Sequence, residues 1–578
     1  MKILLSTLNS KYSHTSPALR YLQSNLKTDG EVAVREYTIN DDLDHVLMRL
    51  YEQKADVYAF STYIWNGEET VRLVRNLKKI RPDVRIVLGG PEASNRIAEF
   101  LEESKADYII RGEGEVAFQK LITAFEKGSG VETVPGLSHI KDGRICNNPL
   151  EEPIDLDKLP FLYEDAFLSD NKEKIIYYES SRGCPYRCAY CMSATDRKVR
   201  NRSVEKVKED LKRFIDSGVR QVKFVDRTFN LDRERTLEIL QFILDYNKGT
   251  NFHFEIAADL LEEEAVDVLN RMPKGFVQLE VGVQTTNQQV LQTINRASDL
   301  SKIREKVKKV KEGANVHLHL DLIAGLPGED FSSFETSFNQ VLDLNPDKMQ
   351  LGFLKVLPGS PMTGLVKDFG IVFRKEAPYE VLQTRDLSFD EMMVLKRVEH
   401  MVEKYYDSGS YENTIRLIRE SLEITWFEFF RQLAGYYEKE GYFERKTSKD
   451  EHYRILKDCF IESFKGNPLY ASTLKIDYLQ SNPWPVPAYL SPKNPRKEIV
   501  FEMLKSADFI ERLLPDFKGK SAKEIYKNVH FEIFDSLRGD PLVGLFRRKA
   551  DPFRKKKNEM IPLDAPDALI LREKLDTI

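Results

Sequence analysis

Short apolar segments alternate with amphipathic segments over roughly the first 130 residues. The apolar segments predict buried strands, at Lys2–Leu8, Val57–Phe60, Arg85–Leu88 and Tyr108–Ile110. Between them, apolar residues recur at helical spacing, at Ser16–Leu26, Glu68–Ile80 and Val116–Phe125. Strands that alternate with helices across short turns predict an α/β fold with a doubly wound parallel sheet. Such sheets bind ligands beyond the carboxyl ends of their strands, so the loops at these ends are candidate binding loops.

A second alternating series runs from Ile175 to about Leu357. Its predicted strands are Ile175–Ser180, Val222–Val225, His253–Ile256, Val277–Val283, Val316–Ile323 and Lys348–Val356. Six strand–helix repeats are fewer than the eight of a closed TIM barrel. The pattern therefore predicts a partial, open (β/α)6 barrel.

Polar residues occupy one face of several strands in this second series. Gln278, Glu280, Gly282 and Gln284 share a face of one strand, and others carry His317, His319 and Asp321, or His253 and Glu255. Parallel barrel strands are usually apolar on both faces. The pattern favours a wide polar lumen that holds a large polar ligand; the alternative is a solvent-facing antiparallel sheet. His317, His319, Glu255 and Asp321 are candidates to line a pocket, with ordinary lumen packing as the other interpretation.

Beyond residue 365 the pattern changes to long amphipathic helices, at Phe389–Tyr405, Tyr411–Leu422 and Trp426–Tyr437. Four regions follow from these patterns. We expect a Rossmann-like domain over residues 1–135, a Pro- and Gly-containing linker over 136–172, the partial barrel over 173–365 and a mainly helical extension over 366–578.

Composition describes a globular protein. Of the 578 residues, 41% are hydrophobic and 31% are charged, which excludes a disordered or fibrous chain. The net charge of −5 creates no global field that would attract nucleic acid. No segment approaches the roughly 20 apolar residues of a membrane span, and no secretory segment is evident at the beginning. We therefore expect a cytoplasmic protein.

Three of the five cysteines, Cys184, Cys188 and Cys191, fall within eight residues. An odd number of cysteines without an export signal argues against a disulfide framework. A compact loop with this spacing can direct three thiolates at three corners of an iron–sulfur cubane and leave its fourth iron open. A structural zinc site would require four ligands, and the nearest histidines are remote in sequence. Cys146 and Cys459 are isolated and are interpreted as ordinary thiols.

The fragment Ser180–Cys191 resembles the signature of the radical S-adenosylmethionine (SAM) superfamily. The resemblance implies that Cys184, Cys188 and Cys191 bind a [4Fe–4S] cluster whose open iron chelates the methionine part of SAM. It also implies that Tyr190 packs near the adenine. The loop follows the first predicted barrel strand, as the family requires.

Downstream segments resemble the SAM-binding strand ends of the same superfamily. Asp226 corresponds to a residue that holds the SAM amino group, although an arginine follows it where relatives often have a second acid. Glu280 and Gln284 correspond to polar residues near the ribose and carboxylate. Ile323 and Gly325 correspond to the segment that lies against the adenine.

Loops of the first domain resemble those of cobalamin-binding domains fused to radical SAM barrels. The resemblance implies cobalamin contacts from Asn9, Lys11, Tyr12, Ser61, Thr62, Gly89, Gly90, Glu113 and Gly114. The two adjacent glycines would let the nucleotide tail pass close to the backbone. The loop Asp-x-His-x-x-Gly, which supplies an axial histidine in other cobalamin proteins, is absent, and His14 lies out of its register. Cobalamin bound without a protein histidine is therefore expected, whereas a domain that binds no cobalamin is the alternative.

Together these resemblances imply a cobalamin-dependent radical SAM enzyme. Its expected reaction is methylation of an unactivated carbon, with a 5′-deoxyadenosyl radical and methylcobalamin. The alternatives are a radical rearrangement, cyclisation or oxidation without methyl transfer, and a non-enzymatic cobalamin or redox sensor. We expect a flavodoxin or ferredoxin-type reductant, and a small molecule or peptide as substrate in preference to RNA. The helical extension resembles that of one branch of these proteins.

Overall fold

The computed structural model describes residues 1–482, 484–534, 542–549 and 557–563. Its chain divides into two compact units. One comprises residues 1–337 with 351–392, and the other comprises 338–350 with the described residues from 393 onward. None of the helices in these ranges has both the length and the apolar character that crossing a membrane requires.

The first sheet has seven strands in the order β2-β1-β3-β4-β5-β6-β7. Its elements are β1 (Lys2–Asn9), α1 (Pro17–Asn25), β2 (Glu31–Thr38), α2 (Leu43–Glu52), β3 (Val57–Ser61), α3 (Gly67–Ile80), β4 (Arg85–Gly89), α4 (Pro91–Asn95), α5 (Ile97–Ser104), β5 (Tyr108–Ile110), α6 (Gly114–Lys127), β6 (Leu137–Lys141) and β7 (Arg144–Asn147). Strands β1 to β5 pair in parallel. The predicted doubly wound α/β domain is confirmed.

Helices cover both faces of this sheet, and each face has its own apolar core. Tyr58 and Leu88 pack with helices α3 and α5 on one face. Val57 and Val87, their neighbours in sequence, pack with α6 on the other. Because both faces are buried, β3 and β4 are nearly continuous apolar runs, as parallel strands usually are.

Two parts of this domain differ from the prediction. Residues 137–147 were expected to lie in a linker, but they form β6 and β7, which extend the sheet antiparallel to β5. Their scattered polar residues reflect half-exposed edge strands, in which only one face packs on the core. Strand β2 was not predicted, because its alternating charges at the other edge obscure the apolar residues.

The second sheet has six strands in the order β15-β14-β13-β12-β11-β8. Its region contains α7 (Asp165–Asp170), β8 (Ile175–Tyr178), β9 (Ser181–Arg182), β10 (Arg200–Asn201), α8 (Val204–Ser217), β11 (Gln221–Phe224), α9 (Arg233–Tyr246), β12 (Asn251–Ile256), α10 (Glu263–Arg271), β13 (Val277–Gln284), α11 (Gln288–Thr293), α12 (Leu300–Glu312), β14 (His317–Ala324), α13 (Phe331–Leu342) and β15 (Lys348–Phe353). Strands β8, β11, β12, β13 and β14 pair in parallel. All six predicted strands are present, and β8 and β15 lie at the two edges.

The alternation predicted for these strands is present in the structure. Along β13 and β14, buried apolar residues alternate strictly with half-buried polar ones. The apolar face packs beneath the helices, and the polar face forms the lumen face of the sheet. Strand β11 continues this face with Gln221 and Lys223.

The remaining chain is mainly helical. It contains β16 (Val372–Phe373), β17 (Val381–Gln383), α14 (Phe389–Met401), a π-helical turn at Val402–Tyr406, α15 (Glu412–Leu422), α16 (Trp426–Lys439), α17 (Lys449–Phe460), α18 (Pro468–Ser481), α19 (Lys497–Met503), α20 (Ala507–Leu513), α21 (Ala522–Tyr526), β18 (Val529–Phe534), β19 (Leu542–Lys549) and β20 (Lys557–Pro562). Phe427, Phe429 and Phe430 are fully buried in the helical core. The last three strands form an antiparallel sheet that the helical pattern did not predict.

Candidate active site

The three clustered cysteines lie in one loop, residues 183–191, which we call the cysteine loop. The short strands β9 and β10 pair on either side of it and hold its ends together. Cys184 and Cys188 are 7% and 6% exposed, Cys191 is half-buried, and all three are free thiols. Burial raises the pKa of Cys184, and the nearby thiols of Cys191 and Cys188 raise it further. The loop therefore brings three reduced sulfur atoms into one neighbourhood.

The loop begins at a position that requires glycine. Gly183 has φ +94°, and a Cβ atom there would lie 2.5 Å from the carbonyl oxygen of Lys198. The next residue is tied to the same returning segment, because the Cys184 N–H donates to the Asp196 carbonyl (2.9 Å). A left-handed turn and a close backbone approach thus set the direction of the first thiol.

Arg296 supports the far side of the cysteine loop. Its Nη1 donates to the Tyr190 hydroxyl (3.0 Å) and lies 3.7 Å from the Cys188 sulfur, while Nη2 donates to the Gly282 carbonyl. Tyr190 and Ile323 pack in the same hydrophobic cluster. Two of the three residues predicted to lie near the adenine therefore pack against one cluster.

Asp226 is used differently from the prediction. Its carboxylate accepts from the Ser180 N–H (2.8 Å), the Ser180 hydroxyl (2.5 Å) and the Ser181 hydroxyl (2.9 Å). The side chain is 1% exposed, and burial raises its pKa. Asp226 holds the strand end that leads into the cysteine loop, and these contacts do not support the expected bond to the SAM amino group.

Two further predicted SAM residues lie at strand ends of the barrel. Gln284 has φ +70° at a register shift between β13 and β14. Its Oε1 is buried and accepts no hydrogen bond from the described residues. Gly325, with φ +86°, follows β14 directly. An unpartnered amide oxygen at this edge is suited to a polar ligand.

Glu280, the remaining predicted SAM residue, lies within a charged network on the lumen face. Its Oε2 is 2.9 Å from His253 Nε2 and 3.0 Å from Lys223 Nζ. Burial opposes its ionisation, but His253 and Lys223 outweigh burial and lower the pKa of Glu280 to about 2. Lys223 also lies 3.7 Å from Glu255. Glu280 is therefore an ionised carboxylate held among basic groups.

The predicted cobalamin residues of the first domain meet at the carboxyl edge of its parallel strands. Gly90 has φ +99°, and a Cβ atom there would collide with the Thr62 carbonyl. Thr62 is fully buried, and its hydroxyl donates to the Gly89 carbonyl (2.8 Å). Ser61 Oγ is buried with no hydrogen-bond partner among the described residues. These residues build a tight platform at the ends of β3 and β4.

The surface of this edge is aromatic and partly exposed. Trp65 stacks on Tyr63 with ring centroids 4.5 Å apart and is 40% exposed. Tyr12 is 79% exposed beside Lys11. Asn9 is buried instead, and it donates to the Glu36 carboxylate (2.9 Å). Lys11 and Tyr12 are accessible to a ligand, whereas Asn9 has a structural contact.

His14 does not point at an open surface. Its Nδ1 lies 2.9 Å from the Tyr177 hydroxyl and 3.4 Å from the Ser10 hydroxyl. Burial lowers its pKa, and Lys11 and Lys223 lower it further. His14 therefore has contacts within the protein, and cobalamin bound without a protein histidine stays a prediction.

Glu113 joins the two domains instead of facing a cobalamin surface. Its carboxylate pairs with Arg200 and lies 3.2 Å from Arg182, and it accepts from the Ile154 N–H. Arg182 also pairs with Glu115 (2.7 Å). The neighbouring Gly114 begins α6, against Leu22. These contacts do not support the predicted cobalamin role of Glu113.

Sequence reasoning missed Arg296, Arg182 and Lys223. Lys223 could have been found, because it continues the alternating polar face on a third predicted strand. Arg182 lies on a strand of only two residues and Arg296 in an irregular segment, so periodicity carries no information about the direction of either side chain.

Family models match three segments of the chain. The B12 binding domain matches residues 3–122, the radical SAM superfamily matches residues 178–341, and a protein of unknown function (DUF4080) matches residues 367–539. The first match contains the parallel strands β1 to β5, and the second contains β11 to β14.

Two curated relatives are similar to more than half of this chain. One is 2-(S-pantetheinyl)-carbapenam-3-carboxylate methyltransferase of Streptantibioticus cattleyicolor, 24% identical over 66% of this chain and 61% of the relative. The other is anaerobic magnesium-protoporphyrin IX monomethyl ester cyclase of Rubrivivax gelatinosus, 24% identical over 57% of this chain and 62% of the relative. The alignments span less than two thirds of either relative.

A solved structure shares the fold. The cobalamin-dependent S-adenosylmethionine radical enzyme OxsB, with aqua-cobalamin and SAM bound, aligns with a TM-score of 0.58. It is 14% identical, and the alignment covers 82% of this chain and 83% of that one.

The residues present fit the cofactors that these domains use. Three free thiols in one loop are the donor set of an iron–sulfur cluster with one open iron. The unpartnered Gln284 oxygen lies at the strand edge where a polar ligand such as SAM would bind. The glycine platform and exposed Trp65 offer a flat surface to a macrocycle.

Proposed function

We propose, from the premise that this chain is a radical SAM enzyme with a B12-binding domain, that it methylates an unactivated carbon of its substrate. The observation that carries the proposal is the junction at Arg182. This residue lies two positions before Cys184 and pairs with Glu115 of the B12-binding domain. A methyl carrier must lie beside the radical site, and this junction brings the cobalamin edge next to the cysteine loop.

Cys184, Cys188 and Cys191 would hold the [4Fe–4S] cluster. When bound, the cluster, SAM and cobalamin supply a 5′-deoxyadenosyl radical and a transferable methyl group. Tyr190, Ile323 and Gln284 would position SAM, and Arg296 would fix Tyr190.

The platform at Ser61, Thr62, Gly89 and Gly90, with Lys11 and Tyr12, would bind cobalamin. Asn9, Glu113 and Gly114 would act by shaping the surrounding loops. The buried strand ends of both domains would exclude water from the reacting groups.

Cyclisation or another radical reaction without methyl transfer is the second candidate. Its support is the similarity to the magnesium-protoporphyrin cyclase, which covers 57% of this chain. The same cofactors would serve either reaction.

Product analysis separates the two candidates. The protein is reconstituted anaerobically with iron, sulfide and cobalamin, and then mixed with SAM and a strong reductant. S-adenosylhomocysteine together with 5′-deoxyadenosine supports methylation. Deoxyadenosine without S-adenosylhomocysteine supports the second candidate, and the absence of both products contradicts an enzymatic function.

Replacement of each clustered cysteine by alanine tests the cluster site. We expect Cys188→Ala to lose the cluster absorption and to reduce deoxyadenosine formation to background, because a three-thiolate site loses one ligand. Cys459→Ala, in the helical region, is the matched control, and it should keep the cluster absorption and the wild-type rate of deoxyadenosine formation. Deoxyadenosine at the wild-type rate from the triple variant would exclude these residues as ligands.

The remaining expectations belong to the same proposal. The electron donor is a flavodoxin or ferredoxin-type protein, the substrate is a small molecule or peptide, and the protein acts in the cytoplasm. The polar lumen face supports a polar substrate.

A further inference from the structure

The barrel interior contains a ligand set that lies outside the cysteine loop and the cobalamin platform. His253 on β12, Glu280 on β13 and His319 on β14 each offer one nitrogen or oxygen atom, and the three atoms lie within 4.8 Å of one another. No cysteine takes part, so this group is separate from the cysteine loop.

We propose that His253, Glu280 and His319 form a binding site for a divalent transition metal in the barrel lumen. Two imidazoles and one carboxylate are a ligand set that zinc and iron(II) share. The site goes beyond the proposed function, because neither cluster nor cobalamin binding requires it.

The sheet itself produces this arrangement. Glu280 pairs directly with His319 in the register of β13 and β14. On the neighbouring strand, His253 lies two residues before Glu255, which pairs with Glu280, and His253 and His319 have ring centroids 5.5 Å apart. Since residues of one face recur every second position, all three side chains lie on the lumen face. Rigid strands hold them without help from a loop.

Burial favours a bound cation here. His253 is 7% exposed, and Glu280 keeps only a small exposed fraction. Removing a carboxylate from water is costly unless cations or donors surround it. A three-ligand metal site supplies that compensation and leaves coordination positions for water or a substrate oxygen.

Lys223 is the group that opposes a metal, because its ammonium lies 3.0 Å from Glu280 Oε2. It also lies 3.7 Å from Glu255. When Glu280 binds a cation, Lys223 therefore retains a second carboxylate. This competition gives the proposal a specific consequence: removal of Lys223 should strengthen metal binding.

Zinc is the probe, because it has no redox chemistry with the cluster. Full-length, cluster-loaded protein is equilibrated with zinc, desalted, and analysed for zinc and iron by mass spectrometry. We expect one zinc per chain in addition to cluster iron. Because a ligand is lost, Glu280→Gln and His319→Ala should bind zinc about 100-fold more weakly or worse. Lys223→Met should bind it about tenfold more tightly.

His317→Ala is the matched control, since His317 lies two residues before His319 on the same face of β14. Its zinc content should equal that of the wild type. The Cys184→Ala, Cys188→Ala, Cys191→Ala triple variant should also retain one zinc, which separates this site from the cysteine loop. Unchanged iron content in the lumen variants reports intact folding.

Absence of zinc from the wild type would overturn the proposal, as would equal zinc content in wild type, Glu280→Gln and His319→Ala. If the variants misfold, zinc X-ray absorption spectroscopy of the wild type identifies the atoms that bind the zinc. Two imidazole ligands and no sulfur are expected, and sulfur ligation would refute the site. These outcomes are independent of SAM cleavage, so they do not depend on the proposed function.

Discussion

At the residue scale, the buried Asp226 and the half-buried Arg296 are ionisable groups near the strand ends whose hydrogen-bond partners are defined. Asp226 accepts three hydrogen bonds, and Arg296 bridges the cysteine loop to the Gly282 carbonyl. Such groups are costly to bury alone, so their partners determine their positions. They form a support beneath the residues proposed to bind SAM.

Glu329 gives a pH-dependent prediction at this scale. Its Oε1 accepts from the Thr285 hydroxyl (2.5 Å), and burial raises its pKa to about 7 against the effect of Thr285, Ser337 and Ser333. The folded state therefore keeps a proton that the unfolded state loses near pH 4.5, so stability falls as the pH rises from about 4.5 to about 7.

Glu329→Gln should remove this loss. We expect it to raise the free energy of unfolding by about 2 kcal/mol at pH 8 and to change it little at pH 4.5. Urea unfolding followed by circular dichroism at both pH values measures the difference. Glu209→Gln, on the exposed surface of α8, is the control. A gain of equal size at both pH values would show that titration is not its cause.

Residue identity predicted which cysteines lie together better than it predicted the contacts of Asp226. The cysteine spacing predicted the cysteine loop, because three thiols within eight residues must lie close together. The motif also assigned Asp226 to SAM, yet its carboxylate faces Ser180 and Ser181. A strand-end motif gives the position of a residue on its strand, but the residues that its side chain contacts belong to segments that are distant in sequence.

At the element scale, the cysteine loop depends on the turn at Gly183. Gly183→Ala would place a Cβ atom against the Lys198 carbonyl and strain a positive φ, at a cost of about 2–3 kcal/mol. We expect a lower iron content after reconstitution. Gly218→Ala is the matched control, since Gly218 also has a positive φ, at the end of α8, but has open space around it.

Gly218→Ala should lower the free energy of unfolding by about 1 kcal/mol and leave the iron content unchanged. Equal iron content in the two variants would show that the close approach to Lys198 does not shape the loop. Thermal unfolding of both variants checks the stability difference.

Periodicity predicted the elements that bury a regular face. It recovered all six strands of the second sheet, and along β13 and β14 buried residues alternate with half-buried ones without interruption. It missed β2, β6 and β7, which lie toward the edges of the first sheet and are half-exposed. Their strand state comes from hydrogen bonds to neighbours that are distant in sequence, which a local pattern does not contain.

At the scale of the whole molecule, Arg182 connects the B12-binding and radical SAM regions. Its guanidinium pairs with Glu113, Glu115 and Glu179 and is itself largely buried. Arg182→Gln would leave buried carboxylates without this cation, so we expect a loss of about 3 kcal/mol in the free energy of unfolding.

Urea unfolding of the full chain measures this loss. Arg49→Gln is the control, because Arg49 pairs with Glu52 on an exposed helix surface and should contribute about 0.5 kcal/mol or less. A small and equal change in the free energy of unfolding of both variants would mean that the ion pairs of Arg182 do not stabilise the junction. The sequence could not predict this junction, since Glu115 lies 67 residues from Arg182 along the chain.

The contact at Ile175 has a consequence for synthesis. At the outer edge of β8, the loop after β1 forms hydrogen bonds with the backbone of Ile175. The Ile175 N–H donates to the Ser13 carbonyl (2.8 Å), and Thr15 Oγ1 donates to the Ile175 carbonyl (3.0 Å). The ribosome makes that loop first, and domains generally fold in the order in which they emerge. The nascent strand therefore meets a partner already in place, which protects an exposed edge from pairing with another chain.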